Sequence, residues 1–214
     1  VLSSTDAAVV GNIPEFGTAS LAAVGIVGVL LSALIWILGQ TRSAISTIVS
    51  QNVGAGTLAD LKSFPAQAIF FNIILSLFVL ASTYFFVEEI FTFLNAKGMI
   101  LELSIDYYSI RVWGFPLTLF TFAIFGLFRG LQNTFWPMVI AAIGASVNIG
   151  LDFLFVYGVE GLLAPMGVVG AAWASLIAQA LMAVLSLILV LKKTEVSLKL
   201  QFPLHPEMKR LVQM

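Results

Sequence analysis

Asn148 and Asp152 stand four residues apart in the apolar run from Trp136 to Tyr157. On a helix of 3.6 residues per turn they project from one face, with Ala141 and Ala145 beside them. A carboxylate, an amide oxygen and a hydroxyl are the hard oxygen ligands that an alkali cation takes, and the same groups can hold a proton. Burial makes a carboxyl group keep its proton and a neighbouring cation does the opposite, so one such pocket can trade a proton for sodium. The hydroxyl comes from the run Gly167 to Leu191, where Gly167, Ala171, Ser175 and Gln179 line one row and Gly170, Ala174 and Ala178 the next. Small residues at that spacing let two helices approach closely.

The bland alternative is that Asn148 and Asp152 only knit helices together. Hydrogen bonds between membrane helices contribute about 0.6 kcal/mol on average, whereas a charged residue at the centre of a membrane helix costs about 2.5–3.5 kcal/mol. The cost exceeds the gain, so Asp152 points to a function. Ser175 by itself reads as packing, and Tyr107, Tyr108 and Arg111 read as interfacial anchors.

The elements that must hold these residues are membrane spans. Of 214 residues, 60% are apolar and 10% charged, with a mean hydropathy of +1.05. A soluble domain runs at about 45–50% apolar and about 25% charged. A bilayer core needs about 20 apolar residues per helix, and five runs meet that length: about residues 21–39, 64–87, 110–128, 136–157 and 167–191. Residues 1–13 read as the partial end of a sixth helix, cut at the N-terminus, so the predicted fold is an all-α, six-helix transmembrane bundle with its first helix truncated. Taken alone, Ser3-Ser4-Thr5-Asp6 looks like a helix cap in a loop, and local pattern favours that reading of Asp6.

Residues 88–106 mix apolar and charged side chains and predict a helix lying at the membrane interface. Pro116 should kink the run it occupies, whereas Pro137 falls in a first turn, where proline is tolerated. On the outward face of the helix bearing Asp152, Ile140, Ile143, Val147, Leu151 and Leu154 form a stripe expected to meet lipid. The Lys/Arg bias places the ends at Arg42, Arg129 and Lys192 in the cytoplasm, and the tail at residues 192–214, with a solvated His205, reads as a cytoplasmic connector. A net charge of −1 and the absence of a basic stripe argue against a nucleic-acid partner, and the lack of cysteine removes disulfides and thiol chemistry.

A set of motifs in fixed order carries a resemblance. Arg129-Gly130-Leu131-Gln132-Asn133-Thr134 with Trp136-Pro137-Met138, then Asn148-Ile149-Gly150-Leu151-Asp152-Phe153, then Gly167-Val168-Val169-Gly170-Ala171-Ala172, resembles the multidrug and toxic compound extrusion (MATE) family. Thr5-Asp6-Ala7-Ala8-Val9-Val10-Gly11 and Leu21-Ala22-Ala23-Val24-Gly25 are similar to that family's first two helices. The resemblance implies a multidrug antiporter of twelve helices in two six-helix lobes, multi-pass in the plasma membrane. This chain supplies residues 1–191 of the N-terminal lobe, and a second six-helix lobe is its missing partner. It turns Asp6 from a cap into an intramembrane carboxylate. In the family branch with an aspartate in the first helix (DinF-like), a site for the coupling ion, proton or sodium, is implied at Asp6, Asn148, Asp152, Ser175 and Tyr107. The first three are the implied sodium ligands. Ser175 departs from the threonine of many relatives.

The expected function is therefore cation-coupled export of amphiphilic, cationic organic compounds or other xenobiotics by alternating access, with no cofactor and no enzymatic activity. Two rivals remain in view. A flippase for lipid-linked precursors would share the architecture, but it calls for a more cationic cavity than this sequence offers. An intramembrane aspartyl protease could use Asp6 and Asp152 as a dyad, but Leu151 stands where such enzymes place glycine and Thr5 where they place tyrosine.

Overall fold

Continuous apolar sequence, satisfied backbone and small residues at helical spacing give the chain ten α-helices among its described residues. The computed structural model describes residues 2–13, 17–161, 163–193 and 202–213. The helices are α1 (Leu2–Val10), α2 (Gly17–Leu38), α3 (Gln40–Ala55), α4 (Phe64–Tyr84), α5 (Val87–Phe93), α6 (Met99–Arg111), α7 (Gly114–Gly130), α8 (Phe135–Tyr157), α9 (Gly167–Lys193) and α10 (Glu207–Gln213), with a 3-10 turn at Leu58–Leu61. Among the described residues, four helical stretches are long and apolar enough to cross a membrane, five if the bent pair α6 and α7 is one span. Large apolar side chains such as Trp36, Phe78, Phe85 and Phe153 face outward, the pattern that lipid covers and water does not.

The chain divides into two compact units: residues 1–34, 79–115 and 143–181, and residues 35–78, 116–142 and 182–214. In the second unit the core is apolar. Ile45, Ile48 and Val49 of α3 join Phe64 and Ala68 of α4, Ile124 and Phe128 of α7, Val190 of α9, and Met208 and Leu211 of α10. Close approach there depends on glycine: a Cβ at Gly126 would lie 2.6 Å from the Arg42 carbonyl oxygen, and one at Gly130 would lie 2.5 Å from the Val49 Cβ. The first unit differs in kind, because its centre holds Asp6, Tyr107, Arg111, Asn148, Asp152 and Ser175, all buried.

The structure corrects several expectations. The polar stretch after Gly39 continues as helix to Ala55. Gln40, Thr41, Ser50 and Asn52 bond back to the carbonyls of Trp36, Leu38, Thr47 and Ile48, so these polar side chains satisfy themselves on the helix while Ile45 and Ile48 bury the opposite side. The helix stops where Gly56 adopts a left-handed φ of 72° and its N–H caps the Asn52 and Val53 carbonyls.

The predicted interfacial helix is two helices. Asn95 and Gly98, at φ 65° and 53°, turn the chain between α5 and α6. Helix α6 buries Ser104, Tyr107, Tyr108 and Arg111 while Glu102 and Asp106 stay exposed. It meets α7 at 47°. The break falls at Val112 and Trp113, where a straight helix would drive the Pro116 ring into the carbonyl four residues earlier. Ile140 is not a lipid-facing residue: it is buried in the second unit's core, whereas Ala141 is exposed. Nor is His205 simply solvated. Its backbone N–H donates to the Gln67 side chain at 2.8 Å and its ring sits edge-on to Phe64. Residues 194–201 of the expected connector lie outside the described residues.

Candidate cation-binding site

Four helices of the first unit bring the five candidate residues together. Helix α1 supplies Asp6, α6 Tyr107, α8 Asn148 and Asp152, and α9 Ser175. Along α8 the buried row runs Gly144, Asn148, Asp152 and Val156, the four-residue step that keeps side chains on one face. Along α9, Ala171, Ala174 and Ala178 are fully buried around Ser175. A Cβ on Gly170 would sit 2.7 Å from the backbone carbonyl carbon and oxygen of Phe155, so α8 and α9 touch backbone to backbone beside the site.

A continuous hydrogen-bonded network results. Ser175 Oγ donates to Asp6 at 3.0 Å to Oδ2 and 3.2 Å to Oδ1. Asn148 Nδ2 donates to Ser175 Oγ at 3.2 Å and, more weakly, to Asp152 Oδ1 at 3.4 Å. Tyr107 donates its phenolic hydrogen to Asp6 Oδ2. Ser175 and Asn148 thereby link the Asp6 and Asp152 carboxylates. Just outside, Tyr157 donates to the Val9 carbonyl at 2.7 Å, which also accepts from the Asn12 backbone N–H at 3.3 Å at the end of α1.

The network is incomplete in an informative way. Asn148 Oδ1 and Asp152 Oδ2 are buried and accept no hydrogen bond. Unsatisfied buried acceptors cost about 1–3 kcal/mol each, so both atoms are primed to receive a donor or a cation. With the carboxyl groups of Asp6 and Asp152 and the Ser175 hydroxyl, they make an all-oxygen donor set of two acidic and otherwise neutral groups. Such a set suits a proton or a small monovalent cation.

Arg111 was underrated by sequence. It is not an interfacial anchor but a buried guanidinium, 5% exposed, lying 5.8 Å from the centre of the Tyr107 ring. Tyr108 is likewise fully buried, against Phe91. The missed signal was spacing: Ser104, Tyr107, Tyr108 and Arg111 fall at three- and four-residue steps, one face of α6.

Fold and site together define a multi-pass helical membrane protein with a carboxylate pair at the centre of one unit. The comparisons with known proteins give the family. The MatE family model matches residues 1–154, and the chain belongs to this family of membrane transporters. It is 31% identical over 133 residues, 62% of this chain and 29% of the other, to multidrug resistance protein MdtK of Edwardsiella ictaluri. It is 27% identical over 164 residues, 77% of this chain and 36% of the other, to a protein of Shewanella oneidensis named FAD transporter. A solved structure of MATE in the bent conformation superposes with a TM-score of 0.90 at 23% identity, covering 99% of this chain and 46% of that one. The chain thus spans less than half the length of each of these proteins.

Proposed function

We propose that this chain forms the N-terminal half of a secondary antiporter that exports amphiphilic, cationic organic compounds in exchange for an entering proton or sodium ion. The observation that carries the reading is the buried network Asp6, Ser175, Asn148 and Asp152, with its two unpartnered oxygens. An ion captured there would tie α1 to α8 and α9 through new oxygen contacts, and its departure would release them. Because ion and cargo each favour one arrangement of the helices, the free energy of ion entry is transmitted to cargo exit. Residues 192–214 would connect this six-helix lobe to a second one on the cytoplasmic side, together with the ends at Arg42 and Arg129. Two such lobes rocking about an axis along the membrane normal give alternating access.

The test is efflux of ethidium, a fluorescent organic cation, from vesicles containing the full-length transporter, with sodium and pH gradients imposed separately. Ethidium should leave against its own gradient when one of the two ion gradients is present. Movement under neither gradient rejects ion coupling. Movement of FAD but not ethidium would instead assign the cargo class suggested by the name of the Shewanella relative.

A further inference from the structure

Among the described residues, three ionisable side chains of the charged types are buried: Asp6, Asp152 and Arg111. All three belong to one unit, and their formal charges sum to −1. The guanidinium lies beside the Tyr107 ring, itself bonded to Asp6, and forms no ion pair with either carboxylate. Its Nε and Nη1 are buried and donate no hydrogen bond, and among the described residues the ion pair found is Arg210 with Glu207, in α10. Tyr107 links Arg111 to Asp6, presenting its ring to the one and its hydroxyl to the other. The polar groups bonded to the two carboxylates are Tyr107 from α6, Asn148 from α8 and Ser175 from α9, all neutral in these roles. Asp106 and Glu102 lie exposed on the other side of α6.

We propose that Arg111 is a resident countercharge that leaves the Asp6 and Asp152 cluster with room for one exchangeable monovalent cation, not two. The proposal rests on the antiporter reading and adds its stoichiometry. Two carboxylates far from water would draw in two cations before the site approached neutrality, since uncompensated buried charge is strongly unfavourable. One of those places is already filled by the protein itself. A tethered guanidinium cannot be carried across, so it lowers the number of ions per cycle without abolishing coupling. Arg111 is a positioning residue in this scheme: it acts on the ion through the carboxylates.

Two measurements on the full-length protein test this. In proteoliposomes, export of monovalent ethidium for one entering cation moves no net charge, so a 100 mV inside-negative potential leaves the wild-type steady gradient unchanged after subtraction of the protein-free leak. Arg111→Met should take two cations per cycle and gain a potential-dependent factor of about fifty per 100 mV, while Arg111→Lys keeps the wild-type behaviour. A potential-sensitive wild type, or an Arg111→Met variant that exports without gaining that sensitivity, overturns the proposal. The second measurement is thermal unfolding in detergent at pH 8 and fixed salt. Arg111→Met should lower the melting temperature, and Asp152→Asn should raise it more in the Arg111→Met background than in wild type, whereas equal shifts in the two backgrounds overturn the proposal. Unfolding needs no cargo, so absence of any ion-driven export by the wild type would reject the antiporter reading and leave the unfolding cycle to decide the role of Arg111.

Discussion

Replacing Asp152 by Asn in the full-length transporter is expected to abolish uphill export while leaving the protein folded. The amide has the shape of the carboxylate, and its oxygen can still accept from Asn148 Nδ2, now 3.4 Å from Asp152 Oδ1. What disappears is charge. Asp6 and Arg111 then balance, and nothing draws an external cation into the cluster. A tenfold ion gradient, about 1.4 kcal/mol, sustains a roughly tenfold cargo gradient in one-for-one exchange, and in the variant that ratio should fall to about one. Removing one of two adjacent buried anions should hold or raise the melting temperature, because buried charge is a weak source of stability. Steady-state efflux and thermal unfolding read the two effects separately, and export that still responds to the ion gradient would reject a coupling role for Asp152.

The second large effect is steric. Gly170→Val should sharply reduce both folded yield and transport, with Gly170→Ala intermediate. Even the first added carbon meets the Phe155 carbonyl carbon and oxygen at 2.7 Å, and backbone cannot rotate aside as a side chain can. Overpacking of this sort costs about 1–3 kcal/mol and occasionally more. Any separation of α8 from α9 also stretches the 3.2 Å bond from Asn148 to Ser175, so the damage reaches the cluster one turn away. Gly150 is the control. A Cβ there meets nothing within 4 Å, so Gly150→Ala should be silent or stabilise α8 by up to about 1 kcal/mol. Melting temperatures of the three variants, measured side by side, check the ranking, and a Gly170→Val protein as stable as Gly150→Ala would contradict it.

How much of this was legible in the sequence depends on how local the determining physics is. The starts of α4, α8 and α9 match their apolar runs closely, because length and hydropathy decide a span without reference to neighbours. The pairing of Asn148 with Asp152 follows from helical pitch alone. Helix α3 was not legible: its polar residues look like a loop until their side chains are seen to bond back along the helix. The depth of α6 was hidden for a related reason. Glu102 and Asp106 dominate a composition count, yet they occupy one side, and Tyr107 and Arg111 bury the other. Asp6 marks the boundary of single-sequence reasoning. Its own surroundings suggest a cap, and only the resemblance carried by distant motifs, then the bonds from Ser175 and Tyr107, place it in the network.

The most direct test of the Asp6 and Asp152 cluster is a count of the cations it takes up. For the full-length protein in detergent, bound sodium would be measured by equilibrium dialysis at alkaline pH, and protons by titration of a weakly buffered, sodium-free sample. Wild type would be compared with the Asp6→Asn, Asp152→Asn double variant, so that surface groups cancel. Wild type should take up one more monovalent cation per chain than the double variant in at least one of the two measurements. Equal uptake by both proteins, of sodium and of protons alike, would contradict the assignment of the coupling ion to this cluster.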